Sequence, residues 1–378
     1  MTPAGIYLHI PFCARKCGYC DFYSVTDTGR QEAFQTALTA EIRQRARPDW
    51  VVDSIYFGGG TPTLLAPAFY LRLLETLYQT FRIQDGAEIT LEANPGTVDR
   101  DRLAAYHASG INRLNLGVQS FDDARLRFLG RAHTAAQARA AVAMARRAGF
   151  HNLGLDLIYG LPGQTVEAWR GDLNQALAEG PEHLSCYALT YAPGTPLMRD
   201  RRRGGHVPAG EDQIAALFDA TSRVLCAIGF EHYEIANYAD GPRRRSRHNT
   251  KYWTRAPYLG FGPAAHSFAA PRRSWNVADL ETYIERLHQG RLAEEGREEL
   301  AEAQEMIETV FLGLRMAAGI DLAAFAERFG RLLEERAAAA IEPLVAAGYL
   351  RLTPERLAPT VKGMRLHNSI SSQITNAL

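Results

Sequence analysis

Runs with strand character recur through the first 190 residues, with helical patterns between them. They read "GIYLHI" from Gly5, "SIYFGG" from Ser54, "AEITLEA" from Ala87, "RLNLGV" from Arg113, "LGLDLIYG" from Leu153 and "HLSCYAL" from His183. The intervening stretches carry helix start and stop signals. One helix is predicted from Leu103 to Ser109, ending at Gly110; another runs from Ala136 to Ala148, opened by Thr134 and closed by Gly149. The strand runs read as mostly apolar on both faces, which predicts a parallel sheet covered by helices. Six β/α units in series give an open or partial barrel, with ligands expected at the carboxyl ends of the strands.

Beyond about residue 195 the pattern changes. An Arg- and Gly-rich stretch, "RDRRRGGHVPAGED", leads to a predicted helix around Gln213 to Ile228, then to "HYEIANYA" and a loop of basic and aromatic residues. From about Leu292 the chain turns mainly helical and ends in "GYLRLTPERLAPTVKGMRL", which suggests helices followed by short strands, a winged-helix-like module. The predicted organisation is a β/α unit over 1–195, an extension over 196–291 and a helical unit over 292–378. No internal repeat or low-complexity segment interrupts it.

Length and charge limit what the chain can do. Its 378 residues suffice for a large core, and 42 Lys plus Arg balance 42 Asp plus Glu. No global field steers it to nucleic acid or an anionic membrane, so no nucleic-acid partner is expected. The start "MTPAGIYLHIPF" lacks a basic leader and a long apolar core, and no later run is apolar for about 18 residues, so a cytoplasmic protein is expected.

Candidate chemistry concentrates in "HIPFCARKCGYCDFY", with Cys13, Cys17 and Cys20. The remaining cysteines, Cys186 and Cys226, stand alone in apolar contexts and read as reduced thiols. Structural zinc takes four ligands in paired knuckles, and disulfides would leave one sulfur over. A 4Fe-4S cluster held by three thiolates leaves one iron open, which is useful when a substrate or cofactor binds there. "FGGGTPT" after the second run lets backbone approach a ligand closely, but without a following Lys-Ser or Lys-Thr it is no phosphate loop. Glu92 ends an otherwise apolar run. Asp156 lies inside one, where a carboxylate costs several kcal/mol unless paired or bound.

The spacing C-x3-C-x2-C after a strand, with Tyr19 before the last cysteine, resembles the radical S-adenosylmethionine (SAM) enzymes. The resemblance implies a partial (β/α)6 barrel of the radical SAM type with the helical module appended, and SAM chelated by the open iron. It places SAM at Gly59, Gly60, Thr61, Glu92, Gln119, Arg131 and Asp156, with Arg131 and Gln119 as partners of Asp156. Tyr7 matches the tyrosine beside the cluster loop. Cluster chemistry further implies an electron donor of flavodoxin or ferredoxin type.

Within that superfamily, "YLHIPFC", "GGGTPT", "LGVQSFD", "DLIYGLPGQT", "YALTYAPGTP" and "YLGFGPAAHSF" resemble the oxygen-independent coproporphyrinogen III oxidase group. Two departures point to its heme chaperone branch, the HemW type. Phe22 stands where true oxidases carry another cysteine, and "HNTKYW" resembles the HNxxYW motif. The branch implies heme as ligand and heme-accepting apo-proteins as partners, respiratory ones among them, with peripheral contact to membrane proteins. Within the motif, His248 is the candidate iron ligand, Tyr252 and Trp253 offer aromatic faces, and Arg243, Arg244, Arg245 and Arg247 suit the propionates. His9, His232 and His266, and the thiols of Cys186 and Cys226, are rival ligands. Coproporphyrinogen oxidation remains the alternative activity.

Overall fold

In a computed structural model describing residues 2–378, the six expected strands form in chain order: β1 (Ala4–Ile10), β2 (Arg47–Gly59), β3 (Phe81–Ala93), β4 (Arg113–Gln119), β5 (Leu153–Tyr159) and β6 (His183–Ala188). Each runs parallel to its sequence neighbour. Helices connect them; the two predicted ones span Arg100–Ala108 and Ala135–Arg147. The Asp99 side chain accepts from the Arg102 N–H, and Thr134 and Gln137 form a reciprocal capping box.

The strands are not apolar on both faces, which corrects the sequence reading. In β1, Ile6, Leu8 and Ile10 are buried among helix residues such as Phe34, Leu38 and Leu73, and Ile55, Phe57, Leu91, Leu114, Leu116, Leu155 and Leu184 continue that layer. The alternate positions form the concave face, and the register aligns them in rows. Gly5 stands beside Ser54, Tyr7 beside Tyr56, Ser54 beside Glu88, Glu92 beside Asn115, Gly117 beside Asp156, and Asp156 beside Ser185. A polar face survives inside a parallel sheet because curvature brings these groups within mutual hydrogen-bonding reach.

Six further strands extend the sheet to twelve. Past β6 lies a hairpin of β7 (Glu231–Glu234) and β8 (Asn237–Ala239), with β8 antiparallel to β6. On the other edge β9 (Tyr258–Phe261) pairs parallel with β1, followed by antiparallel β10 (His266–Ala269), β11 (Arg272–Asn276) and β12 (Glu294–Glu299). The sheet therefore runs on to Glu299, past the division expected at 292. The segment expected as a basic, aromatic loop is instead the helix Arg247–Trp253, whose N-cap Ser246 accepts from the Asn249 N–H.

From Glu302 the chain is helical, with a three-stranded antiparallel sheet of Ile320–Asp321, Leu350–Leu352 and Arg356–Pro359. This module has its own core, including Val310, Phe325, Leu333, Ile341, Leu357 and Ile374. Among the described residues no helix is long and apolar enough to cross a membrane.

Candidate functional site: a cysteine-lined cavity and a plugged barrel

The cysteine loop leaves β1 and is pinned where it returns. Cys13 N–H donates to Val25 O at 2.9 Å, and Val25 N–H donates to Pro11 O at 2.8 Å. The glycine run threads beside it, with Gly60 N–H on Ile10 O at 2.8 Å and Thr61 N–H on Phe12 O at 2.7 Å. A Cβ at Gly60 would stand 2.6 Å from Phe12 O, and Gly59 has φ 110°, so both positions require glycine.

These segments wall a cavity of about 380 Å³ at the carboxyl ends of the strands. Cys13, Cys17, Cys20, Gly59, Gly60, Thr61, Glu92, Gln119, Arg131 and Asp156 all line it. Tyr7 does not. It sits deeper on the concave face, donating to His9 Nδ1 at 3.1 Å while its ring stacks on Tyr56. The lone thiols lie elsewhere: burial on β6 raises the Cys186 pKa strongly, and Cys226 is exposed on the helix Glu211–Ala227.

Burial decides the electrostatics. It pushes the Glu92 carboxyl up to about 7, against the lowering effect of Tyr56, whose hydroxyl donates at 2.7 Å. Gly59 N–H donates to the second Glu92 oxygen at 3.3 Å. Burial likewise raises Asp156, which accepts from Asn115 Nδ2 at 2.7 Å and keeps its other oxygen buried without a partner. Asn115, with Ser185 beside it, rather than the expected Arg131 or Gln119, is thus the hydrogen-bonding neighbour of Asp156, while Arg131 acts on it through its charge. Arg131 donates instead to Asn94, to Gly117 O at 2.6 Å and to Cys17 Sγ at 3.4 Å. Asn94 also donates to Thr61 Oγ1 at 2.8 Å, which ties the glycine run to β3.

The residues fit a cluster and a polar ligand. Three thiols converge on one cavity, and an orphaned carboxylate oxygen and the unpartnered Arg131 Nε lie at its wall. Among the described residues no three His, Cys, Asp or Glu are spaced for a single metal ion. A four-iron cluster, by contrast, takes one thiolate on each of three irons. Tyr56, Asn94 and Asn115 escaped the sequence reading; strict alternation in "SIYFGG", "LEANP" and "RLNLGV" was the available signal.

The HNxxYW-like segment lies at the opposite end of the barrel. Its helix N-terminus rests on Glu88, whose carboxylate accepts from the Arg247 and His248 N–H groups at 3.0 and 3.3 Å. Glu88 also faces buried Arg113 at 3.6 Å. His248 is 1% exposed, with Nδ1 3.2 Å from Ser54 Oγ and Nε2 2.9 Å from Tyr252 OH. Burial, aided by Lys251, lowers its pKa to about 3, so the ring is neutral. Both nitrogens are engaged, and this arrangement leaves none for iron. Trp253 stacks against the Arg315 guanidinium at 4.2 Å, facing the C-terminal module. Arg245 pairs with Glu231 at 2.8 Å and Arg247 donates to Gly86 O, while Arg243 is exposed and Arg244 partly buried. The segment brings no cluster of free cations to His248.

Comparison with known proteins agrees with this architecture. The Radical SAM superfamily model matches residues 7–176 and the HemN C-terminal domain model matches 300–366. A heme chaperone HemW from Bacillus subtilis is 32% identical over 96% of this chain and 97% of its own length. One from Mycobacterium tuberculosis is 36% identical over 97% of this chain and 94% of its own. The solved structure of the Escherichia coli coproporphyrinogen III oxidase HemN, a radical SAM enzyme, shares the fold at a TM-score of 0.85, with 24% identity over 100% of this chain and 91% of that one. Identity at this level over nearly the whole length, on a cysteine-lined partial barrel, means that the chain belongs to the HemW heme chaperone family of the radical SAM superfamily.

Proposed function

We propose that the protein holds one 4Fe-4S cluster on Cys13, Cys17 and Cys20, binds SAM beside it, and carries heme to acceptor proteins. The observation that carries the first two parts is the convergence of the cysteine loop, the glycine run and polar residues of β3, β4 and β5 on one cavity. When bound, the cluster supplies an open iron for SAM and one electron toward its sulfonium. The chain's own residues then position the ligand. Glu92, fixed by Tyr56 and Gly59, offers carboxylate oxygens to ribose hydroxyls. Asp156 presents its unpartnered oxygen, and Arg131, held by Asn94 and Gly117, sets a positive charge beside Cys17.

Heme carriage rests on the relatives, which are heme chaperones. Phe22 speaks against coproporphyrinogen oxidation: it is 63% exposed at the cavity lining and supplies no further thiol. The test is anaerobic reconstitution followed by SAM with dithionite and either heme or coproporphyrinogen III. The reading expects a SAM-sensitive cluster signal, heme binding and transfer to an apo-cytochrome. Catalytic protoporphyrinogen formation, or a protein that takes up no heme, overturns it.

A further inference from the structure

With both His248 nitrogens occupied, a heme ligand has to come from elsewhere in the chain. Three other buried imidazoles are engaged at both nitrogens. His9 pairs with Tyr7 and Tyr23 O, His232 with Ser222 and Ile235 O, and His367 with Asn368 and Phe311 O. His183 meets Tyr233 OH through Nε2 at 2.8 Å and leaves Nδ1 without a partner, but it is enclosed within the barrel at 1% exposure. His266 differs. It is exposed, takes no hydrogen-bond partner among the described residues, and lines a cavity of about 300 Å³.

That cavity has the chemistry of a planar, anionic, iron-bearing ligand. The alternation of β10 puts His266 and Phe268 on one face, and register brings Tyr258 of β9 and Arg273 of β11 beside Phe268. Tyr252 of the HNxxYW-like helix adds another ring, 4.8 Å from Tyr258 and nearly perpendicular to it. Arg255 closes the wall, its guanidinium 5.2 Å from the Phe268 ring centre. This residue has φ 54°, a left-handed conformation that is unusual for a non-glycine residue. Arg255 also lines a second cavity of about 540 Å³, which reaches Trp253 and the C-terminal module. Two residues of the sequence motif therefore border two cavities that share one cation, while the motif histidine faces the barrel interior.

Resting on the reading that the chain carries heme, we propose that heme binds in the Tyr252–His266 cavity with a His266 nitrogen as axial iron ligand. Arg255 and Arg273 receive its propionates. Both cations are now held by carboxylates: Arg255 by Glu305 and Glu308, Arg273 by Glu298 and Glu308. A propionate takes the place of Glu308, so Glu308 competes with the ligand. A cavity this open leaves one edge of the macrocycle in solvent, as handover to an acceptor requires.

The test is hemin titration of the full chain, followed by Soret absorption and resonance Raman spectroscopy. His266→Ala is expected to lose the imidazole-ligated signature and weaken affinity at least tenfold, and His266→Met to give a thioether-ligated spectrum. Arg273→Ala should weaken binding severalfold. Glu308→Gln should strengthen it, because it removes a competing anion. An unchanged spectrum and affinity in His266→Ala overturns the site while leaving heme carriage intact. So does loss of heme by a folded His248→Ala protein that retains His266. Absence of heme binding by the unsubstituted chain overturns the carrier reading and this site together.

Discussion

The Tyr56 hydroxyl donates to Glu92 at 2.7 Å while its ring stacks 5.2 Å from the His248 ring. One side chain thus spans from the motif helix at the floor of the barrel to the cavity at its mouth. The carboxylate proposed to meet SAM is oriented by a residue that does not itself line the cavity.

Removing only that hydroxyl tests the arrangement. Tyr56→Phe keeps the ring stack but frees one Glu92 oxygen, so SAM affinity is expected to fall by about 1–2 kcal/mol, roughly five- to thirtyfold. Titration of SAM against the electron paramagnetic resonance signal of the reduced cluster measures it. Unchanged affinity would separate Tyr56 from SAM binding.

The displaced Glu92 pKa sets a pH dependence with a definite sign. Burial holds its proton up to about 7, above the ordinary carboxyl value. Between about 4.5 and 7 the unfolded chain has released this proton and the folded chain has not, so this group lowers stability as pH rises through that window. Its full effect is on the order of 3 kcal/mol by pH 8. Glu92→Gln should remove that loss, giving a ligand-free protein more stable than the parent at pH 8 and little changed at pH 5. Ribose hydroxyls favour the ionised carboxylate, so SAM affinity should rise from pH 6 to 8 in the parent. A substituted protein with the same slope would assign the titration to another group.

The barrel was legible because its signals are local. Short strand-type runs, Thr134 and the glycines after helices state their conformation within a few residues, and the three cysteines fall within eight residues of sequence. The two-faced character of the strands was missed: Tyr, His, Glu, Asn and Asp occupy every second position, but the Gly and Tyr among them let the runs read as apolar on both faces. Partnerships were not legible. Asn115 meets Asp156 from 41 residues away and Ser54 meets His248 across 194, and only the curvature of the sheet makes those pairs. The fate of His248 follows from the same limit. Its sequence neighbours suggest an exposed cationic loop, whereas Ser246 caps a helix whose N-terminus needs the Glu88 carboxylate.

The cysteine assignment separates cleanly from the other thiols. Cys13, Cys17 and Cys20 share one cavity, while Cys186 is buried on β6 and Cys226 lies on a distant helix. Replacing any one of the three by Ala should reduce reconstituted iron and sulfide to a small fraction. Cys186→Ser with Cys226→Ser should retain four irons per chain. Cluster loss in that double substitution, with folding intact by circular dichroism, would reassign a ligand.

His248→Ala should behave as a change in the barrel floor. The imidazole is 1% exposed and bridges Ser54 and Tyr252, so its removal leaves two hydroxyls short of a partner and a void beneath Tyr56. Unpaired buried hydroxyls and a side-chain-sized cavity together cost about 2–4 kcal/mol. Denaturant unfolding should show that loss, and SAM affinity should weaken slightly as Tyr56 relaxes beneath Glu92. His248→Gln, which keeps a donor and an acceptor, should recover part of the stability. Reconstituted iron should match the parent in both, because the floor is remote from the cysteine loop. A His248→Ala protein as stable as the parent would mean that the floor has an alternative packing, and the helix would then be free to release this imidazole toward a ligand.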